Sequence, residues 1–272
     1  MDNLFDLQDK VIVITGGTGV LGSAMAKGLA AMGAKIAVIG RSAERRDQLV
    51  DEIHRTGGTV IGVQADVLVK ESLIQARDEI LGHYGTVDAL INGAGGNLKG
   101  ATTSAELSFF GLPETDLSQV IQLNFMGTLL ATQVFGEVLM EKEQGVILNV
   151  SSMAAIQPLT NVVGYGAAKA AINNLTQWLA VHMNLHYSPH IRVNAIAPGF
   201  FLTEQNRFLL TDEKDGSLTE RGQTILAHTP MKRFGEPSDL VGTIAWLISD
   251  ASRFVTGIVV PVDGGFSAFS GV

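Results

Sequence analysis

Residues 11–22 read VIVITGGTGVLG, a run of β-branched and apolar residues that passes directly into glycines. The first part, Val11–Thr15, is apolar enough for a strand that is buried on both faces. The G-x-G-x-x-G pattern at residues 17–22 then opens a helical segment that we predict over residues 21–32. Glycines let the backbone turn tightly and approach a pyrophosphate, whose charge then lies at the helix N-terminus. The alternative, a flexible glycine-rich turn, fits less well between a strand and a helix.

The unit of strand and helix repeats through the rest of the chain. We predict further strands at residues 35–40, 59–64, 87–91, 146–150, 191–197 and 255–262, and further helices at 43–55, at 70–84 and from near Tyr165 to about His186. Alternating strands and helices with short connections indicate an α/β fold, a doubly wound parallel sheet with helices on both faces. No break in composition marks a second domain, so we predict one domain over residues 1–272.

The composition is that of a protein with a sizeable core. Its 272 residues are 46% hydrophobic, with a mean hydropathy of +0.25. The absence of cysteine excludes disulfides, thiolate metal sites and a catalytic thiol, and we predict no metal centre. The start lacks a basic leader, and no uncharged apolar run is long enough to span a bilayer, so we expect a soluble cytoplasmic protein. A net charge of −8 and a pI near 5.2 argue against binding to nucleic acid or anionic membranes.

Three side chains that could act on a carbonyl follow the strand predicted at 146–150. Tyr165 and Lys169 lie four residues apart, so a helix puts both on one face, where the ammonium can lower the pKa of the phenol. Ser152 follows the strand at the carboxyl edge of the sheet, where α/β proteins bind ligands. The three could protonate and orient a substrate oxygen, although a surface lysine beside a half-buried tyrosine is the alternative. None of them can donate a hydride, so a cofactor is implied.

The end of the second predicted strand bears on the identity of that cofactor. An acid there would bind the ribose 2′-hydroxyl of NAD, whereas an arginine could accept the 2′-phosphate of NADP. The chain has Arg41 at this place, with Arg45 and Arg46 as potential helpers, which favours NADP over NAD. The alternative is that all three only solvate the start of a helix. Asp66, which Val67 follows, could contact the adenine or simply cap the next helix.

Over nearly its whole length the chain resembles the short-chain dehydrogenase/reductase family. The matching pieces are Thr15-Gly16 with the glycines after it, Asn92-Gly93-Ala94-Gly95, Asn124, Ser152, Tyr165-x-x-x-Lys169, Pro198-Gly199 and Asp263-Gly264-Gly265. The resemblance implies a single Rossmann-like domain with a seven-stranded parallel sheet. It also implies a catalytic tetrad of Asn124, Ser152, Tyr165 and Lys169. In that family the tyrosine is the acid/base, the serine orients the carbonyl, and the lysine binds the nicotinamide ribose and lowers the tyrosine pKa. The asparagine kinks its helix and holds a water in a proton relay.

The cofactor contacts predicted from the residues and the resemblance together form one set: Gly16, Gly17, Thr18, Gly19, Val20, Leu21, Gly22, Arg41, Asp66, Val67, Asn92, Gly93, Ala94, Gly95, Tyr165, Lys169, Pro198, Gly199 and Thr203. The glycine spacing departs from the T-G-x-x-x-G-x-G of the compact members, because position 20 is valine and Gly19 takes its place. That spacing is common in the longer epimerase-like branch. The short length and the Pro198-Gly199 motif still favour the compact branch, so we interpret the departure as a local variation of the turn.

Two polar loops, residues 97–116 and 204–230, are predicted to select the substrate. The lid stretches at 205–210 and 228–231, with Gly96-Asn97, resemble the D-mannonate oxidoreductase (fructuronate reductase) subgroup, which implies a D-fructuronate/D-mannonate pair. The predicted substrate contacts are Ser152, Tyr165, Asn97, Lys99 and Arg207, with Lys99 or Arg207 on the carboxylate.

Other functions fit the same residues. A gluconate or polyol dehydrogenase of the same family is the nearest alternative, and an epimerase or a non-catalytic cofactor-sensing protein are two more. The apolar tail at residues 266–272 packs at the subunit interface in similar tetramers, so we expect a homotetramer.

Overall fold

The computed structural model describes residues 3–202, 210–212 and 216–271. Its strands are β1 Val11–Thr15, β2 Lys35–Gly40, β3 Thr59–Gln64, β4 Ala89–Asn92, β5 Gly145–Val150, β6 Ile191–Pro198 and β7 Val259–Val262. They form one parallel sheet in the order β3-β2-β1-β4-β5-β6-β7. The predicted seven-stranded Rossmann-like fold is therefore confirmed.

Helices cover both faces of this sheet. They are α1 Val20–Ala31, α2 Ala43–Arg55, α3 Lys70–Tyr84, α4 Glu114–Ile121, α5 Gly127–Glu141, α6 Val163–His186, α7 Glu220–Ala227 and α8 Asp239–Ile248. On one face, buried side chains of α1, α2 and α8 pack against the sheet, and on the other those of α3, α5 and α6 do so. Because both faces are covered, the central strands are apolar throughout, as the sequence of β1 predicts.

Two strands begin later than predicted. β4 begins at Ala89 rather than at residue 87, because the Asp88 carboxylate there accepts a hydrogen bond from the Val11 backbone N–H at 2.7 Å. β7 begins at Val259 rather than at residue 255, because Gly257 has a φ of 78° and interrupts the extended backbone.

One segment of the described chain has the length and hydropathy of a membrane span, contrary to the sequence expectation. Residues Glu114–Glu141 form a nearly continuous helix with a mean hydropathy of 1.2 in its most apolar window, and half of that window is buried inside the protein. Phe135 and Leu139 of this helix belong to the core beneath the sheet. Its apolar character is therefore accounted for by packing within the fold.

Candidate active site

The glycine turn after β1 is shaped for close approach. Gly16 has a φ of 65°, which favours glycine. A Cβ on Gly22 would lie 2.3 Å from the carbonyl oxygen of Gly16, so α1 can pack this closely on the turn only with glycine there. Helix α1 begins at Val20 with no acidic residue in its first turn and no side-chain cap. No side chain therefore caps the first N–H groups of α1, and these groups can bind an anion such as the pyrophosphate of a nicotinamide dinucleotide.

A cleft of about 500 Å³, a volume typical of cofactor sites, opens beside this turn. It runs along the carboxyl ends of six strands and is lined by Gly16, Thr18–Gly22, Arg41, Asp66, Val67, Gly93–Gly96, Ser152, Tyr165, Lys169 and Pro198–Phe201, among others. Because β1 lies between β2 and β4, the ends of β2 and β3 form one half of the cleft and those of β5 and β6 the other. The cleft therefore has two ends on opposite sides of the glycine turn. We call the end beside Arg41 and Asp66 the nucleotide end, and the end beside Ser152, Tyr165 and Lys169 the chemical end.

Two predicted cofactor residues lie behind the cleft wall. A Cβ on Gly17 would lie 2.8 Å from a methyl of Val38, so this glycine permits packing against β2. Asn92 is fully buried, and its Nδ2 donates to Thr132 Oγ1 and to Asn149 Oδ1, each at 2.9 Å. Gly17 and Asn92 therefore shape the site through the core, and neither lines it.

Sequence reasoning missed the partner of Asn92. Asn149 pairs with Asn92 across β4 and β5, and its Nδ2 donates to Thr176 Oγ1 at 2.9 Å. This chain of hydrogen bonds ties both strands to α6, the helix that carries Tyr165 and Lys169. An asparagine at the end of each of two apolar strands was the signal that could have revealed it.

The arginines after β2 have different places. Arg41 is exposed and lines the cleft, and Arg45 lines it as well. Arg46, expected as a potential helper, is 7% exposed and its Nη1 donates to the carbonyl oxygens of Gly40 at 2.9 Å and Arg41 at 3.3 Å. Arg46 therefore stabilises the turn after β2 from the buried side. Its aliphatic stem packs over Gly62 of β3, where the lack of a side chain leaves room for it.

Asp66 does not cap the next helix, because the N-cap of α3 is Val69 and that helix has no side-chain cap. Its carboxylate accepts a hydrogen bond from the backbone N–H of Leu68 at 3.0 Å, which orders the turn before α3. Asp66 and Val67 also line the cleft beside β3. The local turn thus presents this acid to the nucleotide half of the cleft.

Ser152, Tyr165 and Lys169 come together at the other half. Ser152 follows β5, and its hydroxyl accepts from the Ala154 backbone N–H at 3.1 Å. Lys169 is 4% exposed, and its Nζ donates to the carbonyl oxygen of Val150 at 2.8 Å. The same Nζ lies 5.6 Å from the centre of the Tyr165 ring, one helical turn away. Strand β5 and helix α6 thus fix a phenol, a hydroxyl and an ammonium on one side of the cleft. We call this group of Ser152, Tyr165 and Lys169 the wall.

Burial sets the protonation of this wall. Desolvation raises the pKa of Tyr165, and a hydrogen bond with Ser152 works in the opposite direction. From the sequence we expected Lys169 to be the residue that lowers the pKa of Tyr165. Lys169 is itself buried, and desolvation lowers its own pKa to about 8. Tyr165 is therefore a protonated phenol at neutral pH, suited to act as an acid.

Asn124 lies at a break in its helix. Residues Gln122–Met126 form a turn of π-helix between α4 and α5, an irregularity of the kind at which helices can kink. Asn124 Nδ2 donates to the Gly96 carbonyl oxygen at 2.6 Å, and Oδ1 accepts from the Gly96 N–H at 3.1 Å. A Cβ on Gly95 would lie 2.5 Å from this Oδ1 and 3.1 Å from Lys169 Nζ. Asn124 therefore fixes the segment between β4 and the chemical end of the cleft.

Two of the predicted substrate contacts, Asn97 and Lys99, lie outside the cleft that Ser152 and Tyr165 line. Asn97 is exposed, and its Nδ2 donates to Thr102 Oγ1 at 2.8 Å. Lys99 is exposed on a short 3-10 turn, and neither residue lines the cleft. The connection ends at Pro113, three residues before the predicted end at residue 116, because α4 begins at Glu114. Thr203 and Arg207 lie outside the described residues.

Within the described ranges, no group of three or more His, Asp or Glu side chains is arranged to hold a metal ion.

Comparison with known proteins shows the family to which the chain belongs. The sequence profile of the short chain dehydrogenase family matches residues 10–214. The uncharacterized oxidoreductase UxuB of Bacillus subtilis is 52% identical over 276 residues, with 98% of each chain covered.

Two solved structures have the same fold. A provisionally named D-mannonate oxidoreductase from Haemophilus influenzae, with bound NAD, is 44% identical with a TM-score of 0.92, over 99% of this chain and 100% of that one. A provisionally named NAD(P)-dependent gluconate 5-dehydrogenase from Beutenbergia cavernae, with NADP bound at low occupancy, is 31% identical with a TM-score of 0.84, over 98% and 100%. This protein belongs to the short-chain dehydrogenase family and is an NAD(P)-dependent oxidoreductase.

Proposed function

We propose that this protein transfers a hydride between a nicotinamide cofactor and the carbonyl or alcohol carbon of a sugar acid, with D-fructuronate and D-mannonate as the best pair. The observation that carries the proposal is the wall formed by Ser152, Tyr165 and Lys169 at the chemical end of the cleft. The neighbour named as a D-mannonate oxidoreductase supports the choice of substrate class.

Each residue of the wall has a defined task. The bound cofactor would supply or accept the hydride. Tyr165 gives its proton to the developing alkoxide, because burial keeps the phenol protonated until then. The Ser152 hydroxyl donates a hydrogen bond to the same oxygen and fixes where charge develops. Lys169, held by Val150, presents its ammonium beside the phenol and stabilises the phenolate that remains.

Asn124 completes the tetrad from the opposite side. Its side chain is bonded to Gly96 and to the carbonyl oxygen of Val120, so its position is fixed before substrate arrives. Asn124 Oδ1 and Lys169 Nζ both lie beside Gly95, at 2.5 Å and 3.1 Å from the position that a Cβ there would take. We propose that a water held there by Asn124 relays a proton from solvent to the phenolate, taking one proton from solvent as it gives one up.

For the cofactor we propose NADP, with NAD as the other candidate. Arg41 lines the nucleotide half and is exposed, so its guanidinium is free to take a 2′-phosphate in a charge-assisted hydrogen bond. The bound NAD of one neighbour and the NADP of the other mark both cofactors as compatible with this fold.

The carboxylate of the substrate needs a cation, because a protein of net charge −8 repels anions at long range. We propose Lys99 or Arg207 for this contact, with Asn97 on a hydroxyl. Lys99 does not line the cleft, so its side chain would have to swing inward to reach the substrate. We also propose that the protein acts in the cytoplasm as a homotetramer.

A gluconate-type substrate is the second candidate, favoured by the neighbour named as a gluconate 5-dehydrogenase. A screen separates the candidates: sugar acids and matching neutral polyols are offered with NADPH or NADH, and with the oxidised cofactors, while the absorbance of the reduced nicotinamide is followed. Turnover fastest with D-fructuronate or D-mannonate supports the proposal. Turnover confined to neutral polyols contradicts it.

A further inference from the structure

The chain folds back onto its own active site after β7. The Asp263 carboxylate accepts hydrogen bonds from the N–H groups of Gly265 at 2.9 Å and Ser267 at 2.8 Å. Gly264 and Gly265 have φ values of 64° and 88°, a conformation that favours glycine. This turn sends residues 266–269 across the loops that follow β5 and β6. We call residues 266–269 the C-terminal brace.

The brace holds the loop that carries Ser152. The side-chain amide of Gln157 donates to the carbonyl oxygen of Ser267 at 2.9 Å. Within that loop, the N–H groups of Ile156 and Gln157 donate to the Met153 carbonyl oxygen at 3.0 and 2.9 Å. The stretch from Ser152 to Gln157 is therefore one hydrogen-bonded turn, whose far end is fixed to the brace.

The brace also holds the loop after β6. The rings of Phe266 and Phe200 lie 5.1 Å apart in an edge-to-face pair, and Phe200 lines the cleft. A Cβ on Gly199 would lie 2.7 Å from Asp263 Cα, so the two chain segments cross in direct contact there. Farther along the brace, the Phe269 ring lies 6.5 Å from His228.

From these contacts we infer that the C-terminal brace sets the distance between the Ser152 loop and the Phe200 loop, with Gln157 and Phe266 as positioning residues. Neither residue touches the reacting atoms: Gln157 acts through Ser152, and Phe266 acts through Phe200. The inference rests on the proposed reaction at Ser152. It assigns to the tail a role within its own subunit, beyond the subunit contact expected from the sequence.

Two variants test the inference, each with a matched control. Gln157→Leu removes the donor to the brace, and Phe266→Ala removes the ring pair. Gln133→Leu and Phe254→Ala are the controls, because the Gln133 side chain is exposed and accepts a hydrogen bond from exposed Lys70, and Phe254 is fully exposed. For the two test variants, kcat/KM with the best substrate of the screen should fall by about 10- to 100-fold, since misplacement by about 1 Å has such effects. For Gln157→Leu the cofactor Kd should stay within about two-fold, because the Ser152 loop carries none of the cofactor contacts predicted above.

The double variant carries the decisive information. If both contacts act through one brace, the loss in Gln157→Leu/Phe266→Ala should be far smaller than the product of the single losses. Losses that multiply in full would mean two independent contacts, and would overturn the inference.

Hydrogen exchange gives a readout that needs no substrate. In the full-length, cofactor-free protein, amides of residues 155–157 should exchange about 10-fold faster in both test variants than in the controls, because the turn is no longer held. Unchanged exchange would refute the brace whatever the enzyme reduces. If the sugar-acid proposal fails but these amides respond, the brace stands and only the substrate is wrong.

Discussion

Replacing Lys169 with methionine should stabilise the cofactor-free protein at neutral pH while it removes a group of the active site. Lys169 is 4% exposed, and burial lowers its pKa to about 8. The unfolded chain holds the same proton up to a pH of about 10.4. Between these two pH values the unfolded state binds more protons, so the free energy of unfolding of the wild type rises with pH in that window. Below pH 8 the full cost of the buried charge is present.

The structure gives the size of this effect. A lowering of the pKa from 10.5 to about 8 corresponds to about 3 kcal/mol at pH 7. Methionine fills a similar volume without the charge, but it leaves the Val150 carbonyl oxygen without its hydrogen bond, a loss of about 1 kcal/mol. We therefore expect Lys169→Met to be about 2 kcal/mol more stable than the wild type at pH 7. Between pH 7 and pH 10 the wild type should recover about 2–3 kcal/mol relative to the variant.

Urea unfolding of both proteins at several pH values between 7 and 10 measures this difference, because other titrating groups largely cancel in it. Lys99→Met, which removes one exposed charge, is the matched control, and its curve should follow that of the wild type. A constant difference between wild type and Lys169→Met across this range would refute the assignment of a buried, destabilising ammonium.

Four further substitutions test other parts of the site. Gly95→Ala should lower kcat/KM by about 10- to 100-fold with little change in overall fold, because the added methyl would lie 2.5 Å from Asn124 Oδ1 and displace it; normal steady-state kinetics would contradict this. Arg41→Ala should weaken NADPH binding by about 1–3 kcal/mol and leave NADH nearly unchanged in calorimetry, whereas equal losses would argue against NADP. Of Lys99→Met and Arg207→Met, the one that removes the carboxylate partner should raise KM for the acid by about 10- to 100-fold and leave a neutral polyol unaffected; wild-type KM in both would exclude both residues.

The fold could be predicted because its signals are local. The apolar run Val11–Thr15 requires burial on both faces, and the glycines after it allow only a tight turn into a helix. The spacing of Tyr165 and Lys169 placed both on one face of α6, and the structure shows them on one wall. These predictions depend on neighbours within a few residues along the chain.

What could not be predicted depends on contacts across the fold. Arg45 lines the cleft, whereas the next residue, Arg46, is buried and donates to the Gly40 carbonyl oxygen at the end of β2. Arg46 can be buried there because Gly62 of β3 leaves room for its stem. The brace is formed by residues more than one hundred positions from Gln157. The pKa of Tyr165 is governed by desolvation, which periodicity does not reveal. Side-chain direction and burial are properties of the packed protein.

The most direct measurement of the central claim compares wild type with Tyr165→Phe in the reduction of D-fructuronate by NADPH, with NADH run in parallel. The phenylalanine ring keeps the packing but has no proton to give. We expect turnover to fall by about two to four orders of magnitude, while cofactor binding measured by fluorescence titration stays near that of the wild type. Turnover by Tyr165→Phe within a few-fold of the wild type would contradict the role of Tyr165 as the acid/base of this site.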